Sequence, residues 1–208
     1  MPRLAAVSES DAQDKVAQTY ARIREMLGCD AVPAMFLAYG RVPAFLQDFY
    51  MNFKKFAYAD GALDAASKAT IALAVSSINR CGPWCDFFID RCRGLGLAEA
   101  HIADTLAVAA TCQMYNVFFK FRGLSGSEVF AGMGVGLRAH TFANTSLGEK
   151  LTELVNIAVS DINGCQPCTA GHVQRVRELG VSDEAILETV QCAATMSAGA
   201  AFLNAAGD

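Results

Sequence analysis

Residues 63–118 align with residues 147–202 at a constant offset of 84, without a gap, and 18 of the 56 paired positions are identical. The identities include Ala74/Ala158, Ile78/Ile162, Cys81/Cys165, Pro83/Pro167, Gly96/Gly180 and Phe118/Phe202. Self-similarity at a fixed period signals duplicated architecture, each copy too small to bury its apolar face alone. The chain must therefore build two related units that pack on one another. Apolar residues recur three or four apart almost throughout, and no stretch sustains the alternation of a strand. Val16, Tyr20, Ile23 and Leu27 mark one such helix, with Gly28 as its stop signal, and Pro43 can open another. The fold expected is all-α, with nine or ten helices in two pseudo-symmetric repeats.

Four segments follow. Residues 1–60 form an N-terminal helical extension, 61–119 a first repeat, 120–146 a connector, and 147–208 a second repeat. The connector is glycine-rich and is expected to hold one short helix. Its GMGVG follows no predicted strand, so it reads as flexible chain rather than a nucleotide loop.

The two repeats differ in chemistry. The second reads INGCQPCTAGH, the first INRCGPWC, and at the same offset Cys168 faces Trp84, His172 faces Phe88 and Glu153 faces Ala69. Only Cys81 keeps its place. The first repeat is thus a degenerate copy in which thiol, imidazole and carboxylate have given way together to apolar residues. In the second, Gly164 suits a helix end and Pro167 the first turn of the next helix. Cys165 then sits at a helix N-terminus and Cys168 within its first turn, where the dipole and free N–H groups stabilise a thiolate. His172, four residues on, shares the face of Cys168 and can take or balance its proton. Glu153 lies on an otherwise apolar helix. It can orient His172 if it points toward the cysteine turn, and is otherwise a solvated first-turn carboxylate.

Glu153, Cys165-Gln-Pro-Cys168 and His172, together with IAVSDINGC, RELGVSDEAI and YNVFFKFRG, resemble the alkylhydroperoxidase AhpD family of the carboxymuconolactone decarboxylase superfamily. The resemblance covers about residues 60–205. The first 60 residues look more like broader peroxidase-related members. It implies an all-α homo-oligomer, trimeric or hexameric, with thiol peroxidase activity and a role in antioxidant defence. By that similarity Cys168 attacks the hydroperoxide, Cys165 resolves it, and Glu153 and His172 relay protons. It implies no bound cofactor, a lipoyl group or another dithiol as reductant, and a peroxiredoxin and lipoyl proteins as partners. One departure stands out: the family places a His between its cysteines where this chain has Pro167, which shortens the relay.

Two other readings compete. Cys81, Cys85, Cys165 and Cys168 could form a structural zinc site if the repeats bring the two loops together. A decarboxylase like the superfamily's namesake needs no paired thiols. CGPWC imitates a scrambled thioredoxin motif, but its cysteines are four apart and no βαβ pattern surrounds it. Cys29, Cys92, Cys112 and Cys192 read as buried apolar thiols, and His101 and His140 as surface or loop residues. With 17 Lys plus Arg against 21 Asp plus Glu, net charge −4, the chain offers no basic stripe for nucleic acid. At 53% hydrophobic and 18% charged it has apolar surface to spare for subunit contacts. No apolar run approaches the ~18 residues that span a bilayer, so a cytoplasmic protein without membrane partners is expected, its eight cysteines mostly reduced.

Overall fold

The computed structural model describes residues 3–207, and every described element is helical. Three helices come first: α1 (Asp14–Leu27), α2 (Ala34–Tyr39) and α3 (Pro43–Asn52), the last running into a π-helical turn, Phe53–Tyr58. The first repeat supplies α4 (Ala65–Ile78), α5 (Gly82–Gly94) and α6 (Glu99–Leu124). After a short 3₁₀ turn at Glu128–Phe130 and the four-residue α7 (His140–Ala143), the second supplies α8 (Glu149–Ile162), α9 (Gln166–Glu178) and α10 (Asp183–Ala206). Each helix of the second trio begins 84 positions after its counterpart, as 65 and 149 show. The segment read as a connector is shorter than its bounds, because α6 continues through Leu124.

Local chemistry explains the ends. Gly28 closes α1 at φ 65°, and Gly164 closes α8 at φ 63°. There the Gly164 and Cys165 N–H groups return to Asp161 O and Ser160 O at 2.9 and 3.0 Å, capping carbonyls that the helix leaves open. The first repeat makes the same turn with Arg80 at φ 55°, a conformation that costs a side-chain-bearing residue more than glycine. Asp64 and Ser182 cap α4 and α10 by accepting the N–H groups of Ser67 and Ala185.

Helices α4 and α8 form the centre, and α6 and α10 each pack across both. α5 covers α4 as α9 covers α8. The symmetry stops there. α9 also packs on α6, whereas α10 meets α2, α3 and the Phe53–Tyr58 turn. The N-terminal helices thus occupy the position between α5 and α10. They fill it with rings: Trp84 is fully buried, with Phe36 and Phe53 centred 5.6 and 5.3 Å away. Trp84 Nε1 donates to Tyr39 Oη at 2.9 Å, and Tyr39 donates to Gly199 O at 2.8 Å, so both polar tips are satisfied. A side chain at 199 would not fit, since even a Cβ would sit 2.5 Å from the Phe49 ring.

A buried ion pair anchors this cover. Lys68, wholly buried, donates to Lys55 O, Ala59 O and Glu188 Oε1 at 2.9, 2.7 and 2.9 Å, and Glu188 Oε2 accepts from Leu63 N at 2.7 Å. The lysine caps the end of the π-helical turn, and every charge has a partner.

Two expectations need correction. α10 is long and apolar enough to cross a membrane by length and composition, with mean hydropathy 1.3 over an 18-residue window. Half of that window is buried against the fold, so α10 is a core helix here. His101 is neither a surface nor a loop residue. It is half-buried on α6, and its Nε2 lies 2.9 Å from Thr70 Oγ1.

Candidate active site

Cys165 is the N-cap of α9, Pro167 lies in its first turn, and Cys168 is its third residue. A disulfide joins the two cysteines, with Cα atoms 5.3 Å apart, and the other six cysteines are free thiols. The two sulfurs are not equivalent. Cys165 is 1% exposed, while Cys168 is partly exposed and forms part of a cavity wall.

Glu153 lies on α8, turned toward the cysteine turn. Its Oε2 is 2.6 Å from His172 Nδ1, and both side chains are mostly buried. The solvated first-turn alternative for Glu153 is therefore set aside. Because Nδ1 is engaged by the carboxylate, the other ring nitrogen is the one left to exchange protons. Burial works against a charged imidazole, but hydrogen bonds to Cys112 and Glu153, with the Glu153 carboxylate charge, outweigh it and raise His172 to about 9. The site thus holds an imidazolium at neutral pH, one helical turn from Cys168 and added to the positive end of the α9 dipole. Positive charge of this kind favours the thiolate form of a nearby reduced cysteine.

The cavity, of about 250 Å³, is closed on the far side by α6 and α7. Cys112, Tyr115, Asn116 and Phe119, spaced along one face of α6, line it with Phe142 of α7. Cys112 is the correction here: read as one more apolar core thiol, it is buried yet faces the cavity and acts on His172. Its sulfur lies 3.4 Å from Ser160 Oγ. Asn116 Nδ2 donates to Ser160 Oγ at 2.9 Å, and Asn163 Nδ2 donates to Asn116 Oδ1 at 3.0 Å, so the floor behind the cysteines is a polar network. One signal for these residues was present in the sequence. At offset 84, Cys112, Tyr115 and Asn116 face Met196, Gly199 and Ala200, so the polar members of this face belong to the intact site alone.

The remaining candidates do not join the site. Cys81 caps α5 as Cys165 caps α9, but Cys81 is fully buried among the first repeat's rings, and Cys81 and Cys85 remain thiols. Burial pushes Cys85 up to about 11, so it is not a thiolate at neutral pH. Among the described residues, no group of three or more His, Cys, Asp or Glu is placed to hold a metal, and the four cysteines of the zinc reading are not brought together. His140 is exposed at the start of α7.

The Carboxymuconolactone decarboxylase family model matches this chain twice, over residues 45–121 and 130–207. Both matches begin upstream of the repeat starts read from the sequence. The chain is 31% identical over 154 residues to the alkyl hydroperoxide reductase AhpD of Anaeromyxobacter dehalogenans (strain 2CP-1 / ATCC BAA-258), covering 71% of this chain and 78% of that one. It is 29% identical over 166 residues to the alkyl hydroperoxide reductase AhpD of Bradyrhizobium sp. (strain BTAi1 / ATCC BAA-1182), covering 80% and 91%. With two family matches, an all-helical fold and relatives of this kind, the chain belongs to the carboxymuconolactone decarboxylase family, on its AhpD branch.

Proposed function

We propose that this protein is a thiol-dependent alkyl hydroperoxidase and disulfide reductase, working through Cys168, Cys165, His172 and Glu153. The observation that carries the reading is the hydrogen-bonded Glu153–His172 pair beside a cysteine pair of which only one sulfur meets the cavity. The Cys168 thiolate attacks the outer peroxide oxygen, the O–O bond breaks, and the alkoxide leaves as alcohol with a proton from the His172 imidazolium. Cys168 is then a sulfenic acid. The Cys165 thiol attacks its sulfur, water leaves, and the disulfide closes. A dithiol regenerates the pair in two exchanges, itself becoming a disulfide. Pro167 supplies no titratable group, so His172 carries this proton traffic with Glu153 behind it.

The reductant is a lipoyl group or a comparable dithiol, small enough to enter the cavity and reach Cys168. A peroxiredoxin and lipoyl proteins are the corresponding partners. Six free thiols fit a reducing compartment such as the cytoplasm. A homo-oligomer, trimer or hexamer, is supported by the exposed apolar side chains of Val117 and Phe121 on α6 and of Val129 beyond it.

The test is stoichiometric. Cys165→Ser should consume one equivalent of organic hydroperoxide and stop as a sulfenic acid on Cys168 that dimedone traps, whereas Cys168→Ser should consume none. The reverse pattern would exchange the two roles, and no consumption by either variant or by wild type would remove the peroxidase reading.

A further inference from the structure

Beside the cavity lies a second recess of about 530 Å³, and Phe119 and Pro167 form walls of both. Its remaining lining includes Lys120, Arg122 and Leu124, and no Asp or Glu among the described residues. The recess near Gly61, by contrast, sets Glu25, Asp60 and Glu188 beside Arg22, Lys54 and Lys55. In a chain of net charge −4, two unopposed cations beside the redox pair call for an anion.

Both cations are held in place. Arg122 stacks on the Phe118 and Phe119 rings, 4.8 and 5.3 Å from their centres, and donates through Nη2 to Met133 O. Its Nε is buried with no partner among the described residues. Lys120 Nζ donates to Asn163 O at 2.9 Å, the carbonyl at the end of α8. An ammonium has three donors and a guanidinium five, so each keeps some for a ligand. The two walls shared by the recess and the cavity, Phe119 and Pro167, are apolar, and Tyr115 and Phe142 line the cavity beyond them.

We propose that the substrates of this site are hydroperoxides of long-chain carboxylic acids. The carboxylate pairs with Arg122 and Lys120, the chain lies over Phe119 and Pro167, and the hydroperoxide group enters the cavity at Cys168 and His172. The assignment rests on the peroxidase reading above and specifies its substrate class. The chemistry is unchanged: the O–O bond breaks, the acid's hydroperoxide becomes a hydroxy acid, and the carboxylate is a handle that is not consumed. A carboxylate on the reductant would satisfy the same cations, so the experiment has an arm for each source.

In the first arm, kcat/KM is measured for linoleic acid hydroperoxide and its methyl ester in one detergent, with dithiothreitol as reductant and wild-type protein. A charge-assisted pair at a partly exposed site should favour the acid about tenfold at low salt, and added salt should narrow the ratio. Lys120→Gln and Arg122→Gln together should bring the ratio toward one. Should that variant misfold, decanoate must still compete with tert-butyl hydroperoxide on wild type more strongly than decanamide does. The second arm compares dihydrolipoate with dihydrolipoamide at fixed tert-butyl hydroperoxide, where equal rates are expected. Equal use of acid and ester while tert-butyl hydroperoxide is reduced would overturn the substrate assignment and leave the peroxidase reading standing. A preference confined to the reductant arm would overturn it also, and place the anion on the dithiol. Failure to reduce any hydroperoxide would remove both.

Discussion

The two repeats put the same three helices in the same arrangement and do opposite things with the space beside them. In the second, Cys168, His172 and Glu153 meet α6 across an open cavity. In the first, Trp84, Phe88 and Ala69 stand at the matching positions, and α2, α3 and the Phe53–Tyr58 turn close the gap with rings. The partner helix follows suit. α6 offers Cys112 and Asn116 to the cavity, while α10 offers Met196 and Ala200, both fully buried. One scaffold thus serves once as a site and once as core. A thiolate needs a charged neighbour and access for its substrate. An aromatic cluster needs neither, and it returns stability through burial.

The largest expected effect lies in the charged half. Glu153→Gln and His172→Gln should each lower the rate of Cys168 oxidation by about 10²–10⁴-fold near pH 7, with the fold intact by circular dichroism. The sign of the pH dependence follows from His172, raised to about 9 by Glu153 and Cys112 against the opposing effect of burial. Below that value the wild-type imidazole is charged and supports the thiolate. Above it wild type loses the same charge, so the penalty should shrink as pH rises. Stopped-flow oxidation by organic hydroperoxide between pH 6 and 10 (roughly the span from an ordinary histidine to an ordinary lysine) reads this directly. A penalty that is constant across the range would mean that Glu153 and His172 only shape the site.

The apolar half should respond in stability instead. Trp84→Ala removes a fully buried ring from among Phe36, Phe53 and Phe88 and leaves Tyr39 Oη without its donor. A loss of about 3–5 kcal/mol in urea unfolding is expected, while the rate constant for Cys168 oxidation in the protein that remains folded stays as in wild type. A Trp84→Ala protein that is stable but slow to oxidise would show that the halves are coupled in function.

Much of this contrast was legible in the sequence, and for a physical reason. Helix periodicity, Gly28, Gly164, Pro83 and Pro167 act locally, so the helices and the matching starts of the repeats could be read from neighbouring residues. The pairing of Cys165, Cys168 and His172 spans little more than two helical turns and was legible for the same reason. Glu153 was harder, since only the packing of α8 against α9 decides whether its carboxylate meets water or an imidazole. Cys112 was misread because a thiol looks the same in sequence whether it faces core or cavity, and only the packing of α9 on α6 brings it beside His172. The buried Lys68–Glu188 pair and the filling of the first half by α2 and α3 depend on contacts across 120 or more residues, or on an N-terminal segment with no counterpart in the aligned repeats.

The central claim, that oxidation chemistry belongs to the second repeat alone, is tested most directly by mapping thiols after one equivalent of organic hydroperoxide. Reduced wild-type protein is treated, alkylated and digested, and each cysteine peptide is quantified by mass spectrometry. A Cys165–Cys168 disulfide is expected as the dominant product, with Cys29, Cys81, Cys85, Cys92, Cys112 and Cys192 recovered as alkylated thiols. A dominant Cys81–Cys85 bridge, or oxidation spread evenly over the eight cysteines, would contradict the account.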